Sequence, residues 1–344
     1  MENRKATIHT IAARLNMSAS TVSRALSNNS RISEKTRNLV KQTAEEMNYR
    51  PNHLASNLRK GKGKLIGVII PRINRHFFSH AIAGMETITN PAGYNLMICQ
   101  TNEDAQSEIK SLKTFIYNRV DGVIMSISNG TLNDQHIREA QKEGIPVVLF
   151  DRIFKDMNID HVMNDNFTGG YEATRHLIEQ GYKKIVHFAG PLHVNVYNDR
   201  YNGYKKAMLE AGLELTDQMV FEDVLTRIKG EDLTRKLIAS NTLPDAIFSA
   251  SDYSALGALL TLKNANIKVP EEIGICGFAN EPFTELTEPG ITTMEQYSEE
   301  LGRSSARMLI ERLENGMTKG LSSSMTFKPK LIIRRSSMKK GEMR

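Results

Sequence analysis

The sequence predicts an N-terminal all-α helix-turn-helix head followed by an α/β core of two doubly wound lobes. Three observations lead to this fold class. The segment TIHTIAARLNMSASTVSRALSNNSRISEKTR, which begins at Thr7, combines short apolar repeats at helical spacing with several serines of the capping type. Residues 1–64 hold 13 lysines and arginines against 4 acidic residues, whereas the remainder holds 32 against 35. From Leu65 onward, apolar strand-like runs alternate with amphipathic helical stretches.

The head is predicted to contain three short helices. Thr7, Ser18 and Ser33 each precede an apolar repeat at helical spacing, and hydroxyl side chains favour such capping positions. The first two helices are joined by a tight turn, as in a helix-turn-helix unit whose second helix enters the major groove of DNA. The third helix is expected to end before Pro51. Its inward-facing positions are predicted to be Leu39, Val40, Thr43 and Met47.

The polar face of the second helix carries the predicted DNA contacts. Arg24 can donate two hydrogen bonds to a guanine, while Thr21 and Ser23 suit phosphate oxygens. Ala19 and Ser20 are small, and the methyl group of Ala19 suits a thymine methyl. A basic head also suits an anionic membrane surface, and three short helices also suit a protein-binding bundle, so both alternatives stay open at this point.

The N-terminal motifs resemble those of one known family. The pieces are VSR in the second helix (Val22–Arg24), the start of the third helix at Ser33–Arg37, YRPN at Tyr49–Asn52, and LASNLR after it. Together they resemble the lac repressor (LacI/GalR) family of transcription regulators. The resemblance implies further DNA contacts within and after the head. These are Thr7, Ser18, Asn28, Ser33, Thr36, Tyr49, Asn52, His53, Ala55 and Arg59.

The resemblance also implies a hinge over about 51–60 that becomes helical on operator DNA. Leu58 matches the leucine that such regulators wedge into the minor groove, a device that kinks the duplex. The segment is short, lacks a strong apolar face and ends in glycines, so a free helix is marginal there. The alternative for Leu58 is packing against the neighbouring hinge or the core.

The core is predicted to form two similar α/β lobes, because its strands are too many for one sheet of ordinary size. Seven apolar runs are predicted as buried parallel strands: LIGVIIP, YNLMICQ, DGVIMSI, PVVLFD, KIVHFAG, DAIFSAS and GICGF. Two helical stretches are predicted at 103–118 and 166–181. The predicted domains are a head (1–50), a hinge and linker (51–64), lobe one (about 65–163 and 296–325), lobe two (about 164–295 and 326–336) and a basic tail (337–344).

Two doubly wound lobes leave a cleft at the carboxyl ends of their strands, and such clefts bind small molecules. The layout resembles that of periplasmic sugar-binding proteins, as the regulatory core of the LacI/GalR family does. The loops that follow the strands therefore supply the candidate effector contacts. These are Arg72, Asn74, Phe78, Ser126, Asp151, Arg152, Asn198, Arg200, Ser251, Asp252, Phe278, Asn280 and Gln296.

Three of these residues gain a role from the resemblance. Arg200 matches the family's arginine for effector hydroxyls or carboxylates, Asp252 lies in the usual D…ALGA segment, and Asp151 matches an acidic position at the cleft. Two positions depart from the family pattern. Ser251 stands where an asparagine is usual, and Ala279 stands where an aspartate typically grips two sugar hydroxyls. The second departure argues against a simple neutral hexose.

Arginines at the cleft suggest an anionic effector. Arg72, Arg152 and Arg200 would suit a uronate or a sugar phosphate. Arg72 and Arg152 are equally consistent with solvated or salt-bridged side chains. The sequence therefore leaves a sugar, a uronate and a sugar phosphate open as effectors.

The function implied by the resemblance is that of a homodimeric, effector-responsive transcription regulator, most often a repressor, on a pseudo-palindromic operator. No phosphate-loop, nucleophile or metal motif is found, so neither cofactor nor metal is expected. The N-terminus lacks an apolar secretion segment and Cys99 and Cys276 lie in apolar runs, so a cytoplasmic protein without membrane contact is expected. A sugar-processing enzyme fused to the head and a transport-type binding protein are the alternatives.

Two packing expectations complete the sequence analysis. The glycines of FTGGY, Gly169 and Gly170, are expected to let a helix approach the sheet closely rather than to hold a nucleotide. The dimer interface is expected in lobe one, on helix 78–91 and on the face of Leu112–Ile116.

Overall fold

A computed structural model of the chain describes residues 6–49, 63–240, 243–316 and 322–339. The chain divides into two compact units, Met1–Gly63 and Lys64–Arg344. The first contains the helices of the head, and the second contains the two α/β lobes.

The head has the three predicted helices, each capped by the predicted hydroxyl. The side chains of Thr7, Ser18 and Ser33 accept hydrogen bonds from backbone N–H groups three residues later, at 3.1–3.2 Å. These bonds satisfy N–H groups that a helix start otherwise leaves unpaired. The helices are α1 (Ile8–Leu15), α2 (Ala19–Leu26) and α3 (Glu34–Glu46).

A small apolar core joins the three helices. One residue from each, Ile11, Val22 and Val40, is completely buried. The prediction for α3 is wrong at Leu39, which is 46% exposed, whereas Thr43 is buried. Because α3 contacts the other helices along the stripe through Val40 and Thr43, Leu39 falls one position outside that stripe.

All seven predicted strands are present, and they lie in two parallel sheets. The strand within YNLMICQ is not buried as predicted, because it lies at the edge of its sheet and none of residues 95–100 is buried. Among the described residues, lobe one has a six-stranded sheet in the order β11-β5-β4-β3-β1-β2, and lobe two has a four-stranded sheet in the order β7-β6-β8-β9. The strands of lobe one are β1 (Leu65–Ile70), β2 (Asn95–Gln100), β3 (Gly122–Met125), β4 (Val147–Phe150), β5 (Asp160–Asn164) and β11 (Ser324–Phe327). Those of lobe two are β6 (Ile185–Ala189), β7 (Val220–Glu222), β8 (Ala246–Ser249) and β9 (Gly274–Cys276).

Two further strands form an antiparallel pair beside the second sheet, β10 (Thr293–Glu295) and β12 (Lys330–Ile332). Three strands of the two parallel sheets escaped prediction: β5, β7 and β11. Each lies at or near a sheet edge, where a strand does not need a continuous apolar run. The strand β11 exposes three of its four residues.

Helices cover both sheets, and the two predicted helical stretches are confirmed within two residues at each end. None of the described helices is long and apolar enough to cross a bilayer. In lobe one the helices are α4 (His76–Thr89), α5 (Ala105–Tyr117), α6 (Gln135–Lys142) and α12 (Ser298–Asn315). In lobe two they are α7 (Asn166–Glu179), α8 (Asn195–Glu210), α9 (Arg227–Ala239), α10 (Asp252–Asn264) and the short α11 (Phe283–Leu286).

Two expectations about packing need correction. A Cβ atom on Gly170 would lie 2.2 Å from the backbone oxygen of Arg200, so this glycine brings α7 close to helix α8 rather than to the sheet. Leu112 and Phe115 are buried in lobe one's own core, so these two side chains are not available for the predicted dimer interface.

The end of the described chain is packed further than the predicted tail boundary allows. Ser337 is completely buried, and its hydroxyl lies 2.7 Å from Nε2 of His176 and 2.6 Å from the hydroxyl of Thr292. The predicted start of the basic tail at 337 is therefore wrong, because lobe two encloses this serine. Residues 340–344 of that tail lie outside the described residues.

Candidate functional site

The exposed face of α2 presents hydroxyls and one arginine. The hydroxyl of Ser18 lies 2.8 Å from those of Ser20 and Thr21, which groups three hydroxyls at the start of the helix. The side chain of Arg24 is exposed and makes no hydrogen bond or ion pair with any described residue. The opposite face of α2 is buried at Val22 and Ala25, so the orientation of the arginine-bearing face is set by the head core.

The other predicted DNA contacts of the head fall into two groups. Thr7, Ser33 and Thr36 occupy the starts of α1 and α3, where their hydroxyls are already engaged in capping. Ala19 and Tyr49 are partly packed against the head core. Asn28, which follows α2, has a left-handed backbone with φ of 54°. The predicted hinge contacts, Asn52, His53, Ala55, Leu58 and Arg59, lie outside the described residues.

A cavity opens in the second unit, between the two lobes, at the carboxyl ends of the strands. It encloses about 730 Å³ unoccupied by protein atoms, part of it open to solvent. Loops after β1, β2, β3 and β4 line it from lobe one, and loops after β6, β7, β8 and β9 line it from lobe two. This is where open parallel sheets bind ligands. Predicted residues in the lining are Arg72, Phe78, Asp151, Arg152, Arg200, Ser251, Phe278 and Gln296.

Arg200 is held rigidly at the cavity wall. Its guanidinium donates hydrogen bonds to Asn166 (2.8 Å), to the backbone oxygen of Ala250 (2.8 Å) and to Gln296 (3.0 Å). The same group stacks on the ring of Phe278, 3.7 Å from the ring centroid. Burial lowers the pKa of Arg200 to about 10, so it remains charged at neutral pH. This arrangement presents a planar cation backed by an aromatic ring.

Arg152 is paired off by protein groups. Its guanidinium lies 2.7 Å from a carboxylate oxygen of Glu103 and donates to the hydroxyl of Tyr197 at 3.1 Å. Burial lowers the pKa of Arg152, but Tyr197, Glu103 and Asp151 raise it further, so the net shift is upward. Of the alternatives left open for Arg152, the structure therefore supports the salt-bridged side chain. The hydrogen bond from Arg152 to Tyr197 also links the two lobes.

Asp151 is a buried carboxylate with few partners. It is 5% exposed and lines the cavity, and its side-chain oxygens accept no hydrogen bond from any described residue, whereas its backbone oxygen accepts one from Asn195 at 3.3 Å. Nε of Arg152 lies 4.0 Å from the carboxylate. Burial raises its pKa against the opposing effects of Arg152 and Arg200. Its backbone has a positive φ of 61°, an uncommon conformation that is often found at functional sites.

Comparisons with known proteins agree with this arrangement. Residues 7–52 match the family described as bacterial regulatory proteins, lacI family, and residues 63–331 match periplasmic binding proteins and the sugar binding domain of the LacI family. The chain belongs to the LacI family. The family assignment identifies a DNA-binding transcription regulator that responds to a small-molecule effector, and not an enzyme.

Relatives and solved structures of the LacI family cover almost the whole chain. The transcriptional repressor PurR of Actinobacillus pleuropneumoniae is 31% identical over 96% of this chain and 98% of its own length. The repressor CytR of Escherichia coli is 32% identical over 96% of each chain. The structure of the regulator CelR in complex with cellobiose has a TM-score of 0.73 at 26% identity, covering 96% of this chain and 99% of its own. A lac repressor dimer bound to operator has a TM-score of 0.85 at 22% identity, over 97% and 100%, and is a likeness of fold.

Five predicted effector contacts lie outside the cavity lining of this LacI-family core. Asp252 is completely buried, where its carboxylate accepts bonds from Thr293 (2.7 Å) and from a backbone N–H (2.9 Å), and burial raises its pKa to about 6. Ser126 is also completely buried, while Asn74 is exposed. Asn198 donates to a backbone oxygen at 3.0 Å and Asn280 donates to Glu295 at 2.7 Å.

The sequence analysis missed several charged and aromatic residues of the lining. Tyr197 lies one turn before Arg200 on α8, so helical spacing alone was a usable signal. Glu103 follows β2, whose loop contains none of the predicted effector contacts. Arg75, Tyr253 and Glu281 come from three separate loops, and only the fold brings them together at the cavity.

Proposed function

We propose that two copies of this chain bind a pseudo-palindromic operator through their heads and repress transcription. A small sugar or sugar derivative in the cavity between the lobes changes their affinity for the operator. The relatives that carry the name repressor, PurR and CytR, support the sign of the regulation. The likeness to a lac repressor dimer on its operator supports the dimer.

The observation that carries the DNA-binding role is the unpaired guanidinium of Arg24. It stands exposed on a helix whose other face is buried, and no described residue neutralises it. A bidentate arginine–guanine pair is worth about 1–3 kcal/mol of discrimination against a wrong base. We therefore assign Arg24 to a base edge and the hydroxyls of Ser20, Thr21 and Ser23 to contacts that fix the position of α2 in the groove.

The test is the affinity of the full chain for the DNA upstream of its own gene, measured by fluorescence anisotropy at fixed salt. Arg24→Ala is expected to weaken binding roughly 5- to 150-fold, from the free energy of one bidentate pair. The matched control is Arg175→Ala, which removes the same charge from an exposed position on α7. Binding to scrambled DNA is expected to fall less than binding to the operator.

Equal losses for the two variants would contradict the assignment of Arg24, because they would reflect net charge alone. Equal affinity of the wild-type chain for every duplex at both low and moderate salt would contradict the regulator itself. A monomeric full-length chain would contradict the paired heads. Each outcome is read from the same titrations together with sedimentation analysis.

The effector class rests on the cavity and on the relatives. The matching description names a sugar binding domain, and the solved relative CelR holds cellobiose. The cavity offers charged groups at Asp151 and Arg200 beside the ring faces of Phe78 and Phe278, a combination that suits a polyhydroxylated ring. The coupling between effector and DNA must be reciprocal, and typical couplings change affinity about 5- to 150-fold.

The hinge and the location of the protein complete the proposal. Residues 51–60 form the hinge, with Leu58 as the residue that enters the minor groove. The head ends near residue 50, and lobe one exchanges chain with lobe two near residues 164, 295 and 326. A regulator of this kind acts where the chromosome lies, so the protein belongs in the cytoplasm.

A further inference from the structure

The charged residues of the cavity do not balance. The lining contains more cations than anions among the described residues, and one cation and one anion, Arg152 and Glu103, neutralise each other at 2.7 Å. Burial raises the pKa of the two remaining acids, and that of Glu281 reaches about 7, so the negative charge of Glu281 is reduced at neutral pH. The cavity is therefore positive. The remaining charged residues are Arg72, Arg75, Arg200, Asp151 and Glu281.

Arg72 is the cation that the protein leaves without a partner. It is half-buried in the cavity lining, and its guanidinium makes no hydrogen bond or ion pair with any described residue, although its charge helps to lower the pKa of Glu103. Its backbone oxygen accepts a hydrogen bond from the N–H of Arg75 at 3.4 Å. The nearby carboxylate of Glu103 is already engaged by Arg152 and by the backbone N–H of Asn129 at 2.9 Å. The next residue, Ile73, donates its backbone N–H to Gln100 at 2.7 Å, which anchors the loop. An anchored guanidinium with up to five unused donors is built to receive an acceptor.

Arg75 lies on the same loop, at the start of α4, and contacts lobe two. Its guanidinium is 3.6 Å from the ring centroid of Tyr253. Glu281, also from lobe two, lies close enough to Arg75, to the Tyr253 hydroxyl and to the backbone N–H of His76 for each of them to lower the pKa of its carboxyl. A carboxylate of the protein itself thus occupies the positive rim formed by Arg75 and the start of α4. The rim therefore accommodates a carboxylate of the protein itself.

We infer that the effector carries a carboxylate or a phosphate group, and that Arg72 and Arg75 receive this group at the lobe-one rim of the cavity. The inference rests on the proposed function, because it specifies the chemical class of the effector of that same cavity. An anionic sugar derivative places its charged group on Arg72 and displaces Glu281 from Arg75. The sugar hydroxyls then have the free carboxylate of Asp151 as an acceptor.

The three arginines that the sequence proposed for an anionic effector, Arg72, Arg152 and Arg200, differ in their partners. Arg152 is neutralised by Glu103, and three of the five donors of Arg200 are occupied by neutral protein acceptors. Among the arginines of the lining, Arg72 is the one whose side chain makes no hydrogen bond, ion pair or ring contact with any described residue. Bidentate recognition of carboxylate or phosphate is what a guanidinium does best.

The first test needs no knowledge of the effector and uses inorganic phosphate as the probe. The melting temperature of the full chain is measured in potassium phosphate and in potassium chloride at equal ionic strength. Phosphate is expected to raise the melting temperature of the wild type, since a ligand of the folded state stabilises it. Arg72→Gln is expected to lose most of this rise and to melt like the wild type in chloride. Arg175→Gln, the surface control, keeps the rise.

The second test compares neutral and charged sugars by titration calorimetry. The pairs are glucose with glucuronate and glucose 6-phosphate, galactose with galacturonate, and ribose with ribose 5-phosphate. At least one charged member is expected to bind roughly ten-fold or more tightly than its neutral partner, and Arg72→Gln abolishes that preference. The uronates and the phosphates distinguish the two anionic groups. Glu281→Gln is expected to tighten binding of the charged member several-fold, because it removes the competing carboxylate.

Three outcomes would overturn the inference: an equal phosphate effect in the wild type and in Arg72→Gln, tighter binding of the neutral member of a pair, or no charged compound whose binding depends on Arg72. These results leave operator binding untouched. If a neutral sugar alters operator affinity, the proposed function stands and only the anionic effector fails. If the wild type shows no operator preference, the proposed function fails first.

Discussion

The head and the cavity differ in how their functional residues are assembled. In the head, the hydroxyls at Ser18–Thr21 and the guanidinium of Arg24 come from seven consecutive residues around one helix. In the cavity, residues as distant as Arg72 and Gln296 share one lining. The head surface therefore depends on one local element, whereas the cavity depends on the relative placement of many strand ends.

The two regions also treat charge differently. Arg24 stands exposed and without a described partner, as suits a residue that meets a polyanion in water. The cavity buries Arg152 and Arg200 and surrounds them with acceptors, because an uncompensated charge in a buried site is costly. This difference indicates that the role of an arginine depends on whether protein groups already form hydrogen bonds or ion pairs with its guanidinium. Arg72 is the exception in the cavity, and it follows the pattern of the head.

The largest effect on stability and operator affinity is expected from a substitution that unfolds the head and leaves the cavity intact. Val22→Asp places a carboxylate at a completely buried position of the small head core and is expected to cost about 3 kcal/mol or more. Operator affinity should fall more than it does for Arg24→Ala, while effector binding is retained. Calorimetric melting and an anisotropy titration on the same sample measure both properties.

The control for this variant is Leu39→Asp, which introduces the same charge at an exposed position of α3. Its effect on the melting of the head is expected to be within about 0.5 kcal/mol, as for other surface substitutions. If the two variants destabilise the head equally, Leu39 belongs to the head core as the sequence predicted. Burial would then not explain why Val22→Asp disrupts the head.

How far each region can be predicted from sequence follows from the same contrast. The caps Thr7, Ser18 and Ser33 were found because capping is a local signal, and each is confirmed. The buried runs of β1, β3, β4, β6 and β8 were found because a strand in the middle of a parallel sheet is apolar throughout. The edge strand β11 was missed because neither signal applies there.

The sequence predicted which loops line the cavity, but it did not predict which of their side chains face the cavity. Asp252 does follow β8, as predicted, but its carboxylate turns toward Thr293 and away from the cavity. Glu281 reaches the rim only because lobe two meets α4 of lobe one, which no short stretch of sequence encodes. The position of a strand end in the sequence predicts which loop lies near a ligand. The direction in which a side chain of that loop points depends on hydrogen-bond partners that are distant in the chain.

The next effect is expected where the cavity depends on helix packing. Gly170→Ala places a methyl group 2.2 Å from the backbone oxygen of Arg200, which cannot give way as a flexible side chain does. Overpacking of this kind costs about 1–3 kcal/mol, and it should also shift Arg200 and weaken effector binding. Thermal melting and calorimetric titration check both. The control is Arg175→Ala on the exposed side of the same helix, and operator binding without effector should survive in both variants.

A smaller effect is expected from the pH dependence of the cavity rim. Burial and Asp252 raise the pKa of Glu281 from 4.5 to about 7, against the opposing effects of Arg75, Tyr253 and His76. Between these values the folded chain binds more protons than the unfolded chain, so the stability contributed here is complete below pH 4.5 and is lost as the pH rises to about 7. Glu281→Gln should be the more stable protein above pH 7, because its neutral amide does not place an ionised group at the buried rim.

The measurement for this prediction is the melting temperature of both proteins from pH 5 to pH 8. The difference between Glu281→Gln and the wild type is expected to increase with pH and to level off above 7. A constant difference would mean that the Glu281 carboxyl does not titrate in this range. A wild type that gains stability relative to the variant with rising pH would reverse the sign and would place an ionised, well-paired carboxylate at the rim.

The smallest effect concerns the end of lobe two, where the tail was predicted to begin. Ser337→Ala removes the hydroxyl that lies 2.7 Å from His176 and 2.6 Å from that of Thr292, in a completely buried position. Losing a buried hydrogen-bond partner costs about 1 kcal/mol, so chemical denaturation should shift by that amount. The exposed Ser322 supplies the control, since Ser322→Ala removes a hydroxyl from the surface. If neither substitution changes the free energy of unfolding, Ser337 contributes no more than a surface serine. The predicted start of the tail at residue 337 would then be correct.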